Sequence, residues 1–546
     1  MPASKSLKTS PISEAAASRK SPKIGTPPGA RFFEFIGVFL ILATAGAVSA
    51  AWFYSQGHLL YYGDAEAHLN IARRVIDSRT PGYDQIGTVW LPLPHALMLP
   101  FIGNDFLWRS GLAGTIPGVV CFVAAGLMLF AAARQVFASF AAAICTVLLF
   151  ALNPNLLYLQ SVPMTESVFF AALLGLLFCT VRFQATVRFQ GEDSMWTVFG
   201  AALFSNAASM TRYEGWSLIP FVALYFLITA REKKLRVALT FSALAALGPL
   251  YWLAHNWWYY GNFFEFYNGP YSARAIYQRA LDAGMARYPG DQDWAKAWLY
   301  FSSAAGLCVG PVLVSIGLAG AAACIAGRIF WPVLLLALPS AFYVLSMHNS
   351  TIPIFVPHLW PNSYYNTRYG LAVLPLFAFA AGALVVWTPR RFRPLAAAAA
   401  VIAVTVSWVV HPHPSAWICW KESDVNSIAR RDWTAQAAEF FRANYRPGDG
   451  ILTSFGDMTG IYREAGIPMR ETLHEGNSPM WDAAVARPDL FLREEWAVAI
   501  SADRVSTAML GGGNPPGYSR VKIVATKGGP VIEIYRKESG RLPPAP

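Results

Sequence analysis

The sequence predicts an α-helical polytopic membrane protein of about eleven transmembrane helices, closed by a small C-terminal extracytoplasmic α/β domain. Three observations carry this. The 546 residues are 55% hydrophobic and only 14% charged, against roughly 45–50% and 25% in soluble domains. Apolar runs long enough for the roughly 20-residue helix that crosses a bilayer recur over the first three quarters of the chain. From Lys421 onward the pattern changes to mixed polar segments with strand and hairpin signals.

Residues 1–31, rich in Ser, Pro, Ala and Lys and nearly free of apolar side chains, read as a disordered basic cytoplasmic tail. Eleven apolar runs follow, near 35–53, 111–131, 138–152, 164–181, 196–210, 215–230, 237–255, 298–325, 329–346, 369–388 and 395–410. The third and fifth are short for a full span. No small-residue cleavage site follows the first run, so it is expected to remain as a span. Residues 32–411 thus form a transmembrane module with a long first external loop at 54–110, and residues 412–546 form the extracytoplasmic domain. In that domain Val425 to Tyr445 has helical periodicity, and Ile451–Phe455 and Ala497–Ser501 look like strands. Val521 to Tyr535 alternates around Gly528-Gly529, a hairpin signal.

Charge fixes the expected orientation. The tail and the connections holding Arg134, Arg182 and Arg188, Arg231 to Arg236, Arg328, and Arg390 to Arg393 alternate with loops on the other side, which with the span edges hold 10 basic against 11 acidic residues. Positively charged connections stay in the cytoplasm, so the N-terminus is cytoplasmic and the loops 54–110, 153–163, 211–214, 256–297 and 347–368 face outward. The formal net charge of +11 could suggest nucleic acid. Yet the segment from Lys421 holds 16 basic and 16 acidic residues, whereas the cytoplasmic segments hold 17 basic against 5 acidic. The excess is an orientation signal, and no nucleic-acid partner is expected. Six cysteines without a CxxC pair support neither a disulfide framework nor a zinc site.

The first external loop carries Tyr61-Tyr-Gly-Asp-Ala-Glu-Ala-His68, where Gly63 and Asp64 read as the start and cap of an amphipathic helix. Asp64 and His68 share a face at i and i+4, and Glu66 projects elsewhere. A carboxylate at the mouth of a membrane bundle suits proton abstraction from an attacking hydroxyl, and a simple helix cap is the alternative. Glu166 stands at the external start of the fourth span, as a site residue or as a favourable charge at a helix N-terminus. Arg212 and Glu214 share a tight turn, either marking a site or neutralising each other. The aromatic stretch Asn256 to Tyr267 is accounted for by an interfacial belt. Arg368, followed by Tyr369, is the only basic residue of the 347–368 loop, and a permanently charged forked donor there suits a phosphate better than a snorkelling role. His95 could be a structural polar residue. P-loop, Rossmann, Ser-His-Asp and HExxH signatures are absent from the sequence, which argues against a cytoplasmic nucleotide-dependent reaction.

Taken together, Gly63-Asp64 with Glu66 and His68, Thr165-Glu166, Thr211-Arg-Tyr-Glu-Gly215, Arg368-Tyr-Gly-Leu-Ala-Val-Leu-Pro375 and the outer C-terminal domain resemble the GT-C glycosyltransferases. The chain looks most like their bacterial branch related to protein mannosyltransferases and aminoarabinose transferases, family 39-like. The resemblance implies a glycosyltransferase, hexosyl- or mannosyltransferase-like, in the bacterial inner membrane, using a polyprenyl-phosphate-linked sugar donor on the extracytoplasmic face. Asp64 matches the first-loop acid taken as catalytic base, Glu166 a second acid of the same cavity, and Arg368 a basic residue near the lipid phosphate. Here the loop motif is Asp-Ala-Glu where protein mannosyltransferases have adjacent Asp-Glu. His68 joins the catalytic candidates through its shared face with Asp64, and Glu66, His95, Arg212, Glu214 and Tyr369 join Arg368 as substrate-binding candidates.

The expected reaction is a single inverting displacement on the anomeric carbon, with Asp64 as general base and an acceptor hydroxyl on a lipid, glycan or protein. No cofactor is assigned, and Asp64, Glu66 and Glu166 are oxygen donors hard enough for a divalent cation such as Mg or Mn. The competing classes are a transporter or flippase of a lipid-linked or polar solute and an inactive envelope scaffold. The sequence has no internal repeat of the kind transporters often show.

Overall fold

The structure is a computed structural model that describes residues 28–410, 416–511 and 517–538. The basic tail lies outside the described residues up to position 27, and Pro28 opens the first helix. The chain divides into two compact units.

The first unit comprises Met1–Phe53, Pro117–Ser161 and Thr165–Glu422. All eleven apolar runs are helical. Among the described residues seven helices are long and apolar enough to cross a membrane, or eight with one bent pair included, which makes this a multi-pass membrane protein. Phe140–Ala151, Met195–Ser209 and Glu214–Thr229 are shorter. The run expected as one span at 298–325 is two helices, Trp294–Val309 and Pro311–Ala326, meeting at 109°. Gly310 turns the chain at φ 82°, and Pro311 can only begin the second helix because it has no N–H to continue the first.

Small residues let these helices approach closely. A Cβ on Gly320 would lie 2.2 Å from the Ala380 carbonyl oxygen, and one on Gly317 would meet the Phe377 ring at 2.4 Å. Lipid gives little hydrophobic reward for helix association, so contact of this kind is what holds membrane helices together. The helix Thr367–Trp387 is accordingly 83% buried over its most apolar window, against 11% for Arg390–Val409 at the periphery.

The second unit comprises Tyr54–Ile116, Val162–Met164 and Ser423–Pro546. The segment Tyr54–Ile116 therefore groups with the C-terminal region. Five strands, β1 (Ile451–Thr453), β2 (Thr472–Leu473), β3 (Trp496–Ile500), β4 (Tyr518–Ala525) and β5 (Val531–Lys537), form one sheet in the order β2-β1-β3-β5-β4. β1 runs parallel to β2 and β3, and β5 antiparallel to β3 and β4. The hairpin turns where Gly528 takes φ 78°, as its glycines require.

The helix expected from Val425 begins earlier, at Ile418, and runs to Asn444. Its Trp433, Ala437 and Phe441 pack on Ile451, Trp496 and Ile534. The loop contributes helices Gly63–Arg74, Leu93–Ile102 and Asp105–Ser110. Leu69, Met98, Ile102 and Trp108 close around Met469, so residues distant in sequence share one core. The Arg73 guanidinium fixes this corner by donating to Asp77 at 2.7 Å and Asp105 at 2.7 Å.

Candidate active site

In the first unit the sequence-predicted residues of three segments meet. Glu166 opens its helix in the first turn, buried, and Thr165 before it makes no side-chain cap bond. The Thr165 hydroxyl accepts from Arg212 Nη1 instead, at 2.6 Å. The turn bearing Arg212 packs tightly because a Cβ on Gly215 would lie 2.4 Å from the backbone of Ala208, which explains the glycine of Thr-Arg-Tyr-Glu-Gly. Arg212 donates through Nε to Glu214 at 2.5 Å and through Nη1 to Glu166 at 3.2 Å. Its Nη2 donates to the Tyr343 hydroxyl at 2.6 Å, and that hydroxyl donates on to Glu214 at 2.5 Å. Mutual neutralisation of Arg212 and Glu214 therefore occurs, but as part of a larger network.

Arg368 reaches the same network. Gly370 lets its turn press against the helix Trp294–Val309, where a Cβ would lie 2.4 Å from the Ala304 backbone. Arg368 is 5% exposed, so it does not snorkel. It lies 3.4 Å from Glu166 and 3.3 Å from Glu422. Its guanidinium stands 4.8 Å from the Tyr369 ring centroid, which stacks on Tyr343. Sequence reasoning missed Tyr343 and Glu422; an isolated Tyr inside a span and a Glu beside an unassigned boundary carry no pattern.

Two guanidiniums and three carboxylates buried together are expected to be mutually paired, and most atoms are. Glu166 Oε2 makes no hydrogen bond among the described residues. It borders a cavity of about 20 Å³ lined also by Arg212, Glu214, Tyr343, Arg368 and Tyr369, room for about one water. The arrangement offers forked cationic donors held rigidly by carboxylates and phenols, which suits recognition of a phosphate rather than covalent catalysis.

In the second unit the helix Gly63–Arg74 presents the first-loop motif. Its N-cap is Tyr62, with no side-chain cap bond, so Asp64 belongs to the first turn and the reading of it as a mere cap is overturned. Asp64 is half-buried and lies close enough to Asp457 to raise that residue's pKa. Burial is the main cause of the Asp457 shift, opposed by Arg430, and Glu66 and Asp64 add repulsion. Asp457 comes from the far end of the chain, and no local signal marked it.

Glu66 is buried and gripped by two arginines, Arg463 Nε at 2.8 Å and Arg430 Nη1. Burial pushes its carboxyl pKa up, but the two guanidiniums outweigh it and the net shift is downward. Both Glu66 oxygens are thereby held by arginines. Among the described residues no group of three or more His, Cys, Asp or Glu side chains could hold a metal ion. His68 and His95 pair with each other, Nδ1 to Nε2 at 2.9 Å, and His68 lies against Trp90. His95 is held well below its ordinary pKa by burial, then by His68 and Arg74.

The helical bundle and the sheet-bearing unit together have the fold of known solved structures. Two similar solved structures are those of ArnT from Cupriavidus metallidurans. ArnT bound to undecaprenyl phosphate is 12% identical over 93% of this chain and 98% of its own, with a TM-score of 0.52. Apo ArnT is 14% identical over the same shares, with a TM-score of 0.51. No family model and no curated protein matches the sequence.

Proposed function

We propose that this protein is a membrane glycosyltransferase that moves a sugar from a polyprenyl-phosphate-linked donor to an acceptor hydroxyl on the extracytoplasmic face. The observation that carries the reading is the GT-C fold shared with ArnT over nearly the whole chain, one ArnT structure holding undecaprenyl phosphate. The paired guanidiniums of Arg212 and Arg368 support it, since they match the chemistry of a phosphate headgroup.

In the proposed step the acceptor oxygen attacks the anomeric carbon and its proton passes to Asp64. The bond from that carbon to the phosphate oxygen breaks, and polyprenyl phosphate departs with the electron pair. One displacement inverts the anomeric configuration. The departing phosphate needs charge stabilisation but no proton, so one carboxylate base suffices, unlike the two-carboxylate chemistry of glycoside hydrolysis. Arg368 and Arg212 supply that stabilisation, with Tyr369 and Tyr343 stacked to hold their planes. The alternation of basic connections supports a cytoplasmic N-terminus and an extracytoplasmic second unit.

The test compares wild type with Asp64→Asn in membranes given labelled polyprenyl-phosphate sugar. The variant is expected to transfer label at least about 100-fold more slowly, the lower end of what a positioned base contributes. Equal rates at equal expression would remove Asp64 from the mechanism.

A further inference from the structure

The second unit contains a larger cavity that the transfer chemistry does not use. It measures about 460 Å³, within the usual size of a small-molecule site. Four arginines line it, Arg109, Arg430, Arg431 and Arg463, against two glutamates, Glu66 and Glu464. The helix Ile418–Asn444 supplies Arg430, Arg431 and Thr434 from one face, at spacings of three and four residues. Arg463 comes from the helix Thr459–Ala465 and Arg109 from Asp105–Ser110.

The positive charge is only partly answered. Both oxygens of Glu66 are taken, one by Arg430 and one by Arg463. Glu464 pairs with Arg442 at 3.5 Å. Arg109 donates to the Gly466 carbonyl at 3.0 Å and has no carboxylate partner among the described residues. Arg431 pairs with Asp424 at 3.0 Å and its guanidinium carbon lies over the Tyr61 ring at 3.9 Å from the centroid. The ring and the carboxylate hold the guanidinium, yet its Nε is buried without a hydrogen bond among the described residues.

Thr434 adds an independent observation. It is 4% exposed, lines the cavity, and its hydroxyl has no hydrogen-bond partner among the described residues. A buried hydroxyl left unmatched costs free energy unless something supplies its partner. A cavity with surplus guanidinium charge, bordered by two residues that carry unmatched donors, calls for an anion with several acceptor oxygens.

We infer that this cavity binds a phosphate group carried on a glycerol- or sugar-sized headgroup, through Arg431 and Thr434 with Arg109 contributing charge. The volume exceeds that of a bare phosphate, and guanidinium, hydroxyl and aromatic ring together fit a phosphate ester. Such a group could come from a lipid headgroup or a soluble ester; Tyr54, in the last turn of the helix Pro28–Ser55, is among the lining residues. The inference stands on the cavity alone and does not depend on the proposed transfer.

The experiment is calorimetric titration of glycerol 3-phosphate into the purified full-length protein, in neutral phosphatidylcholine nanodiscs and in nanodiscs containing phosphatidylglycerol. In neutral nanodiscs saturable binding is expected, weakening with ionic strength. Arg431→Gln combined with Thr434→Val should raise Kd at least tenfold, and Thr434→Ser should stay within about twofold of wild type. These positions are chosen because Arg430 and Arg463 hold Glu66 and their loss would disturb folding. If phosphatidylglycerol raises the apparent Kd for the soluble ester, the natural group is a lipid headgroup; if it has no effect, the group is a soluble ester. Absence of saturable binding in neutral nanodiscs, or equal affinity in the double variant, overturns the inference.

Discussion

Glu66→Gln separates a structural from a chemical reading of the first-loop motif. Glu66 is 3% exposed and its two oxygens neutralise Arg430 and Arg463. The amide keeps the shape but removes the charge, leaving two buried guanidiniums facing each other. Breaking a buried ion pair costs about 3–5 kcal/mol, mostly the penalty of the uncompensated partner. For a folding unit on the order of 200 residues that lowers the melting temperature by about 6–20 °C.

The assay is intrinsic tryptophan fluorescence of the full chain in detergent, with limited proteolysis of the second unit as a second probe. The pH dependence has a definite sign. Because the folded carboxyl pKa lies below its ordinary value near 4.5, the stabilisation is fully present above that value and is lost as pH falls through the lower folded pKa. The variant should lack this acid limb. Adding Arg463→Met should recover part of the loss, since it removes one of the stranded charges. A Glu66→Gln protein that melts within about 2 °C of wild type but no longer transfers sugar would refute the structural assignment.

Other consequences follow from the geometry. Gly320→Leu should destabilise the helix bundle by about 1–3 kcal/mol or more, because its Cβ would lie 2.2 Å from Ala380 O, whereas Gly306→Ala, with nothing within 4 Å, should be neutral or stabilising; thermal melts compare the two. Tyr343→Phe should cost about 1–3 kcal/mol and raise the KM for the lipid donor, since Arg212 loses an acceptor and Glu214 a donor. His474 is held at about 3, chiefly by burial and then by Arg74 and Arg79. The unfolded chain takes that proton first, so stability should fall as pH drops below about 6.5, by on the order of 2 kcal/mol between pH 7 and 5. His474→Asn should flatten that slope in melts taken across the range.

The membrane helices were legible because a span must be apolar over its length, and the hairpin because its glycines mark the turn. The 109° break was not, since Gly310-Pro311 lies inside an unbroken apolar run. β2 has two residues, too few to show alternation. At the candidate site, Glu166, Arg212, Glu214 and Arg368 stood out because charge is costly at membrane depth. Tyr343 did not, since a tyrosine in a span reads as an ordinary apolar residue. Glu66 looked like a site residue because its partners Arg430 and Arg463 lie in a different part of the chain, and pairings at that distance leave no local periodicity.

The most direct test of the central claim is product analysis with purified protein in proteoliposomes, supplied with polyprenyl-phosphate sugar labelled in the sugar and a candidate acceptor extract. The account predicts one polyprenyl phosphate released per new glycosidic bond, with the anomeric configuration opposite to the donor's. Movement of the intact lipid-linked sugar between leaflets, with no new bond formed, would contradict it and favour transport.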